Sequence, residues 1–160
     1  MTNANIPSRE KCLDILNKNK TPSNVILHCE TVCRVAEEIA DKLIAKGINV
    51  NKNLVTAAAL LHDIEREKEN QIEEGAKLIK SLGFPEVANI IKKHSLYKVE
   101  DPIRQPQTYE EKIVFYADKR VKGNEIVSLE ERFTDLKKRY NVDLTKEIEF
   151  SRKIEEELAE

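Results

Sequence analysis

Glycine and proline are scarce in this chain, which has only four glycines and five prolines among 160 residues. With 40% hydrophobic and 35% charged residues, this composition excludes a disordered chain and favours a soluble helical protein. The length suits about one domain with a core of ordinary size. We therefore expect residues 1–160 to form a single domain.

The features that would place the protein at a membrane or on nucleic acid are also missing. The apolar run Ala57–Leu61 is far shorter than the ~20 residues of a membrane span, and the polar residues 1–5 lack the apolar segment of a secretion signal. We expect a cytoplasmic protein with no membrane partner. The 27 Lys and Arg residues face 29 Asp and Glu residues, so no global basic field indicates a nucleic-acid partner, although a local basic patch stays possible. Composition does not indicate an oligomeric state.

Cysteine is limited to Cys12, Cys29 and Cys33. An odd number of cysteines without a secretion signal argues against a disulfide framework. Cys29 and Cys33 are one helical turn apart and could form half of a zinc site, but no second pair completes four ligands. We interpret these cysteines as small residues that pack on helices.

Apolar residues recur at three- and four-residue steps through most of the chain, and this pattern predicts an all-α fold. No segment has the alternating period of a strand. The connection Tyr97–Gln107 is the one long irregular segment, and connections of this length are often functional. Thr21 is predicted to cap a helix with Pro22 in its first turn, and Gly123 to close a later helix. The other helix starts are predicted by these caps and prolines: Ser8, Asn51, Pro85, Thr108 and Ser128.

Four residues with metal-binding side chains lie on or beside predicted inward faces, namely His28, His62, Asp63 and Asp118. Two imidazoles and two carboxylates suit one divalent ion of borderline or hard character, such as Mn, Fe, Ni, Co, Mg or Zn. Adjacent side chains on a helix diverge by about 100°, so His62 and Asp63 can share an ion only at the edge of a helix. The competing interpretation is that His62 caps a helix C-terminus and Asp63 pairs with Arg66.

Five segments follow one another in the chain: His28, Leu60-Leu61-His62-Asp63-Ile64, Gly75-Ala76 with Leu78, Lys92-Lys93-His94 and Tyr116-Ala117-Asp118-Lys119. Their order resembles the HD superfamily of metal-dependent phosphohydrolases, in its HDIG-like form. The resemblance implies a compact all-α bundle of HD-domain type over residues 21–123, with 124–160 as additional C-terminal helices. It assigns one divalent metal ion to the four residues named above, and makes Asp63 and Asp118 the catalytic candidates for accepting the proton of the attacking water.

The chain departs from the family pattern at two places. Members that hold two metals have a histidine where this chain has Gln71, which favours one metal here. Arg66 replaces the lysine of the His-Asp-Ile-Gly-Lys form and could clamp a phosphate through two hydrogen bonds. The resemblance also makes His94 and Lys119 candidates for substrate binding, while a histidine at a helix C-terminus is the plain alternative for His94.

The leading hypothesis is a metal-dependent phosphohydrolase for a phosphomonoester or a small nucleotide, with a small phosphorylated molecule as its partner. One alternative is a phosphodiesterase for cyclic or linear dinucleotides, which Gln71 disfavours. A second is a non-catalytic sensor that binds a nucleotide in the same helical pocket. A third is a helical interaction module in which residues 128–160 mediate self-association, although charged faces of this kind are usually solvated.

Overall fold

The computed structural model describes residues 5–66, 71–94, 104–141 and 143–159, and these ranges form eight α-helices and one small hairpin. The all-α prediction is confirmed. Most of the predicted connection Tyr97–Gln107 lies outside the described residues. The elements in chain order are α1 (Arg9–Lys18), α2 (Ser23–Ala45), α3 (Lys52–Leu61), α4 (Gln71–Ser81), α5 (Pro85–Lys92), α6 (Tyr109–Lys119), β1 (Val121–Lys122), β2 (Glu125–Ile126), α7 (Leu129–Tyr140) and α8 (Thr145–Ala159).

Side-chain caps fix the starts of four helices at the predicted residues. Ser8 accepts a hydrogen bond from the Lys11 amide, and Asn51 accepts one from Leu54. Each such cap contributes about 1 kcal/mol because it satisfies an amide that has no partner inside the helix. The reciprocal capping boxes are Thr108 with Glu111 and Ser128 with Glu131.

The start of α2 differs from the prediction that Thr21 caps it. Pro22 is the N-cap residue, and the Thr21 hydroxyl donates instead to the Ile64 carbonyl at 3.4 Å. The Asn19 amide donates to the same carbonyl at 3.2 Å. Both side chains therefore bind the backbone just after Asp63 and do not cap α2. These hydrogen bonds connect the residues before α2 to the turn that contains Asp63.

A two-stranded antiparallel hairpin follows α6, where the sequence predicted that the helix continues to Gly123. The strands pair Val121 with Ile126 and Lys122 with Glu125, which leaves Gly123-Asn124 as the turn. Gly123 has a φ of +63°, a conformation that glycine adopts without a Cβ clash. Because only the first turn residue has positive φ, the turn has the pattern of type II′, which suits a short hairpin.

One hydrophobic cluster extends from Cys12 on α1 to Leu158 on α8. Its centre is α3, where Ala57–Leu61 is fully buried and the small alanines allow neighbouring helices to approach closely. The C-terminal helices join the same cluster, and Phe150 of α8 stacks edge-on against Phe115 of α6 at 5.5 Å between ring centroids.

The three cysteines are free thiols and fully buried, which agrees with a packing role. Burial raises the pKa of the Cys12 thiol to about 12 and that of the Cys33 thiol to about 11, so both stay protonated and unreactive near neutral pH. Among the helices that the structure describes, none combines the length and the apolar character needed to cross a membrane.

Candidate metal centre

Three separate segments bring the four predicted metal ligands together. His28 comes from the second turn of α2, His62 is the C-cap of α3, Asp63 follows it, and Asp118 lies in the last turn of α6. One ligand atom from each of these residues lies within 4.8 Å of the other three. His28, His62 and Asp118 are buried, and the Asp63 side chain is 12% exposed. The Asp118 side chain is equally 12% exposed, so both carboxylates are partly accessible to solvent.

The end of α3 explains how two adjacent residues face one point. The chain leaves the helix at His62 and enters a turn over residues 62–66, so the two side chains converge instead of diverging. His62 Nε2 is 3.6 Å from Asp63 Oδ2 and 3.2 Å from Asp118 Oδ1. The ion pair between Asp63 and Arg66, which the competing interpretation predicts, is present as well: Asp63 Oδ2 is 3.7 Å from Arg66 Nη1.

The backbone fixes the orientation of both imidazoles. His28 Nδ1 donates to the Gly123 carbonyl at 2.6 Å, and His62 Nδ1 donates to the Ala59 carbonyl at 2.7 Å. A carbonyl can only accept, so each Nδ1 carries the proton and each Nε2 faces the centre, as in histidines that bind metals. Both Nε2 atoms lie 3.2 Å from Asp118 Oδ1.

This arrangement fits a divalent metal. With Nδ1 protonated, a neutral imidazole presents a lone pair to the Asp118 carboxylate, and two acceptors that face each other repel. A second ring proton or a shared cation each removes this repulsion. Two imidazole nitrogens and two carboxylate oxygens directed at one point are a donor set for a borderline or hard cation.

The pKa directions show how strongly the centre attracts positive charge. Burial alone would lower the pKa of His62, but the Asp63 carboxylate, Cys29 and the Asp118 carboxylate together more than offset it and hold that pKa well above the ordinary value. Burial alone would raise the pKa of Asp118, but the Lys119 ammonium group and the two histidines hold it well below its usual range. Burial also opposes ionisation of Asp63, while the neighbouring His62 and His94 rings lower its pKa. Both carboxylates are therefore ionised.

Lys119 and His94 each lie beside one of the two carboxylates of the cluster. The Lys119 ammonium group donates to Asp118 Oδ2 and to the His94 carbonyl, both at 2.8 Å, and its side chain is only 4% exposed. His94 Nδ1 donates to the Ile91 carbonyl at 2.7 Å, so its Nε2 points forward and lies 3.6 Å from Asp63 Oδ1. Lys119 is therefore engaged with protein oxygens, whereas His94 presents a ring nitrogen towards the site.

A cavity of about 250 Å³ opens in front of the cluster. The predicted substrate-binding residues Arg66, His94 and Lys119 all line it, together with Gln71. Sequence reasoning missed the opposite wall, which α7 supplies through Arg132, Leu136 and Tyr140. The available signal was their regular four-residue spacing, which places them on one stripe of a helix beside the apolar stripe that anchors it.

Comparison with known proteins adds a family and several relatives. The family model described as the HD domain matches residues 25–122. A protein of Picrophilus torridus named tRNA (cytidine(56)-2'-O)-methyltransferase is 34% identical, over 79% of this chain and 40% of its own length. A protein of Thermoplasma volcanium with the same name is 32% identical, over 84% of this chain and 42% of its length.

An uncharacterized protein of Methanocaldococcus jannaschii is 37% identical, over 81% of this chain and 85% of its own length. The chain thus spans about two fifths of the two methyltransferases and most of the uncharacterized protein. No solved structure matches the chain.

Proposed function

Because this chain belongs to the HD-domain family, we propose that it is a metal-dependent phosphohydrolase that acts on a phosphomonoester or a small nucleotide. The family suggests a metal-dependent hydrolase, and the His/Asp cluster could hold one divalent ion. The observation that carries the proposal is the convergence of two oriented imidazoles and two ionised carboxylates at a cavity that cationic side chains also line.

In this proposal His28, His62, Asp63 and Asp118 hold the ion. A bound divalent ion lowers the pKa of water and offsets charge on a phosphoryl group. The residues of the chain then divide the remaining work. Asp63 or Asp118 accepts the proton of the attacking water, and Lys119 keeps Asp118 oriented and ionised. Arg66, 41% exposed at the cavity edge, and His94 contact the phosphate oxygens.

The names of the two methyltransferase relatives favour a nucleotide among the possible phosphomonoesters, because those names refer to a cytidine of tRNA. The names belong to proteins of which this chain spans about two fifths, so methyl transfer is not the activity that we propose. Gln71 on the cavity wall disfavours the dinucleotide diesterase, since an amide replaces the histidine that the second metal of such enzymes requires.

The test combines metal analysis with a substrate screen. The protein, purified without a metal-binding tag, is offered Mn, Fe, Ni, Co, Zn or Mg, and retained metal is measured per chain by elemental analysis. We expect about one ion per chain and release of inorganic phosphate from nucleoside monophosphates by the loaded protein. Asp63→Asn should lower both the metal content and the rate by at least about a hundredfold, because a ligand and proton acceptor is lost.

The matched control is Asp14→Asn, which changes an exposed aspartate on α1 that pairs only with neighbouring lysines among the described residues. It should retain metal and turn over substrate like the parent. A folded parent that retains no ion overturns the proposal. Retained metal and ligand-induced stabilisation without any product would favour the sensor, and faster cleavage of a diester than of a monoester would favour the diesterase.

A further inference from the structure

The α7 wall of the cavity lies outside residues 25–122, the segment that the family model matches. Leu129 and Phe133 anchor the helix in the core. Arg132, Leu136 and Tyr140 follow at four-residue steps along the adjacent stripe, and all three line the cavity. This wall is therefore a feature that the HD-domain match does not account for.

Arg132 is the cationic side chain of this cavity that forms no ion pair with any described residue. Lys119 is bound to Asp118 at 2.8 Å, and Arg66 lies 3.7 Å from Asp63. The Nε atom of Arg132 is buried and has no hydrogen-bond partner within the described ranges. A buried donor without a partner is unfavourable, and a ligand oxygen that accepts its hydrogen bond would remove this cost.

Asp135, one turn along α7 from Arg132, already has two closer cationic partners. It binds Lys122 at 3.2 Å and Arg139 at 3.0 Å, attracts Arg132 only over a longer distance, and is absent from the cavity lining. The guanidinium group of Arg132 is therefore available to an anion that enters the cavity. A planar guanidinium group matches the oxygens of a phosphate better than other side chains do.

The other residues of the α7 wall are apolar and aromatic. Leu136 contributes aliphatic surface beside Ile72 of α4, and Tyr140 is a large side chain that is 60% exposed at the end of α7. An exposed ring at the edge of a polar cavity offers a face on which a planar base can stack. The volume of about 250 Å³ is near the lower end of the ~300–1,000 Å³ typical of ligand pockets, and favours one nucleotide over two.

We propose that α7 recognises the substrate, with Arg132 binding the phosphate group and Tyr140 stacking on the base of a nucleoside monophosphate. The inference rests on the proposed function, because it places the scissile phosphate between the metal ligands and Arg132. It assigns the choice of substrate to the C-terminal part of the chain, and the chemistry to the four ligands of the matched HD segment.

The phosphate contact is tested by titrating inorganic phosphate into the metal-loaded protein in a calorimeter. Arg132→Gln should weaken phosphate binding by about ten- to a hundredfold, the value of a charge-assisted hydrogen bond. Arg132→Lys should recover part of the affinity because it restores the charge without the planar fork. Arg139→Gln is the matched control on the same helix, is absent from the cavity lining, and should bind phosphate like the parent.

The base contact is tested by comparing adenosine monophosphate with ribose 5-phosphate as ligands. Tyr140→Leu should weaken binding of adenosine monophosphate by about fivefold or more and leave ribose 5-phosphate unchanged, since only the first has a base to stack. Tyr109→Leu is the control, because Tyr109 is also exposed but lies outside the cavity lining. Thermal melts of every variant establish that the proteins are folded.

The outcomes separate this inference from the proposed function. If the parent retains metal and releases phosphate, but Arg132→Gln binds phosphate like the parent, the α7 assignment is wrong and the phosphohydrolase stands. Equal weakening of both ligands by Tyr140→Leu overturns the base contact. If the parent retains no metal, the proposed function fails, while the same phosphate titrations without metal still decide whether Arg132 binds the anion.

Discussion

At the scale of single residues, the position of Lys119 shows how the centre tolerates a buried carboxylate. Its ammonium group reaches Asp118 and the His94 carbonyl, and lies 4.6 Å from the centre of the Phe115 ring. The sequence suggested a cation that contacts substrate, and Lys119 does line the cavity. Its hydrogen bonds also give Lys119 a structural role that is independent of substrate, because they keep Asp118 ionised and in place.

Lys119→Met should therefore destabilise the protein before any ligand is added. We expect the free energy of unfolding, measured by urea denaturation without substrate, to fall by about 3 kcal/mol, because the buried Asp118 carboxylate loses its ammonium partner. Lys52→Met is the control, since it breaks an exposed pair with Asp41 and should cost less than about 1 kcal/mol. Stability equal to that of the parent would mean that Lys119 serves the substrate alone.

At the scale of elements, the short hairpin after α6 orients one of the candidate metal ligands through its backbone. The Gly123 carbonyl in its turn accepts the proton of His28 Nδ1 and so directs His28 Nε2 at the cluster. The conformation that makes this possible has φ of +63°, which a residue with a Cβ adopts only at a cost.

Gly123→Ala should thus weaken metal binding as well as folding. Strain in the left-handed region should lower the free energy of unfolding by about 1–2 kcal/mol, and displacement of the carbonyl should weaken metal affinity by about tenfold, a typical effect of losing a partner that orients a ligand. Gly47→Ala is the control, because Gly47 has φ of +88° at the end of α2 with open space around it among the described residues. It should lose stability but keep its metal affinity.

The elements also show which parts of the structure a sequence can predict. Caps are local, so Ser8, Asn51 and the two capping boxes were readable from residues three apart. The hairpin was missed because strands of two residues are too short to show an alternating period. Thr21 was misassigned because its true partner, the Ile64 carbonyl, is distant in sequence.

The candidate site divides in the same way. The four candidate metal ligands could be predicted from the family resemblance, because their residue types and their order are visible in the sequence. Their spacing alone left the competing interpretation open. The structure brings these ligands together, and their binding of metal stays a prediction. The α7 wall could not be predicted, because Arg132 and Tyr140 line the cavity only where α7 packs against the rest of the fold. Residue spacing does not specify that packing.

At the scale of the whole molecule, the C-terminal helices pack on the same core as the helices that carry the candidate metal ligands. Asp118 lies on α6, which packs against α2 and α3 through its buried residues and against α8 through Phe115 and Phe150. Tyr116 and Lys112 of α6 also contact Glu155 and Glu157 of α8. A helix held from both sides keeps Asp118 fixed relative to His28 and His62.

This packing predicts that the HD segment and the C-terminal helices unfold together. Phe150→Ala should lower the free energy of unfolding by about 2 kcal/mol, since a half-buried aromatic contact is lost. Native-state hydrogen exchange should then show the same loss of protection in amides of α2 and α8, because one cooperative unit opens as a whole. Leu82→Ala, at an exposed leucine, is the control and should leave both unchanged. Loss of protection confined to α7 and α8 would instead make residues 124–160 a separate unit, and metal retention by the Phe150→Ala protein would then equal that of the parent.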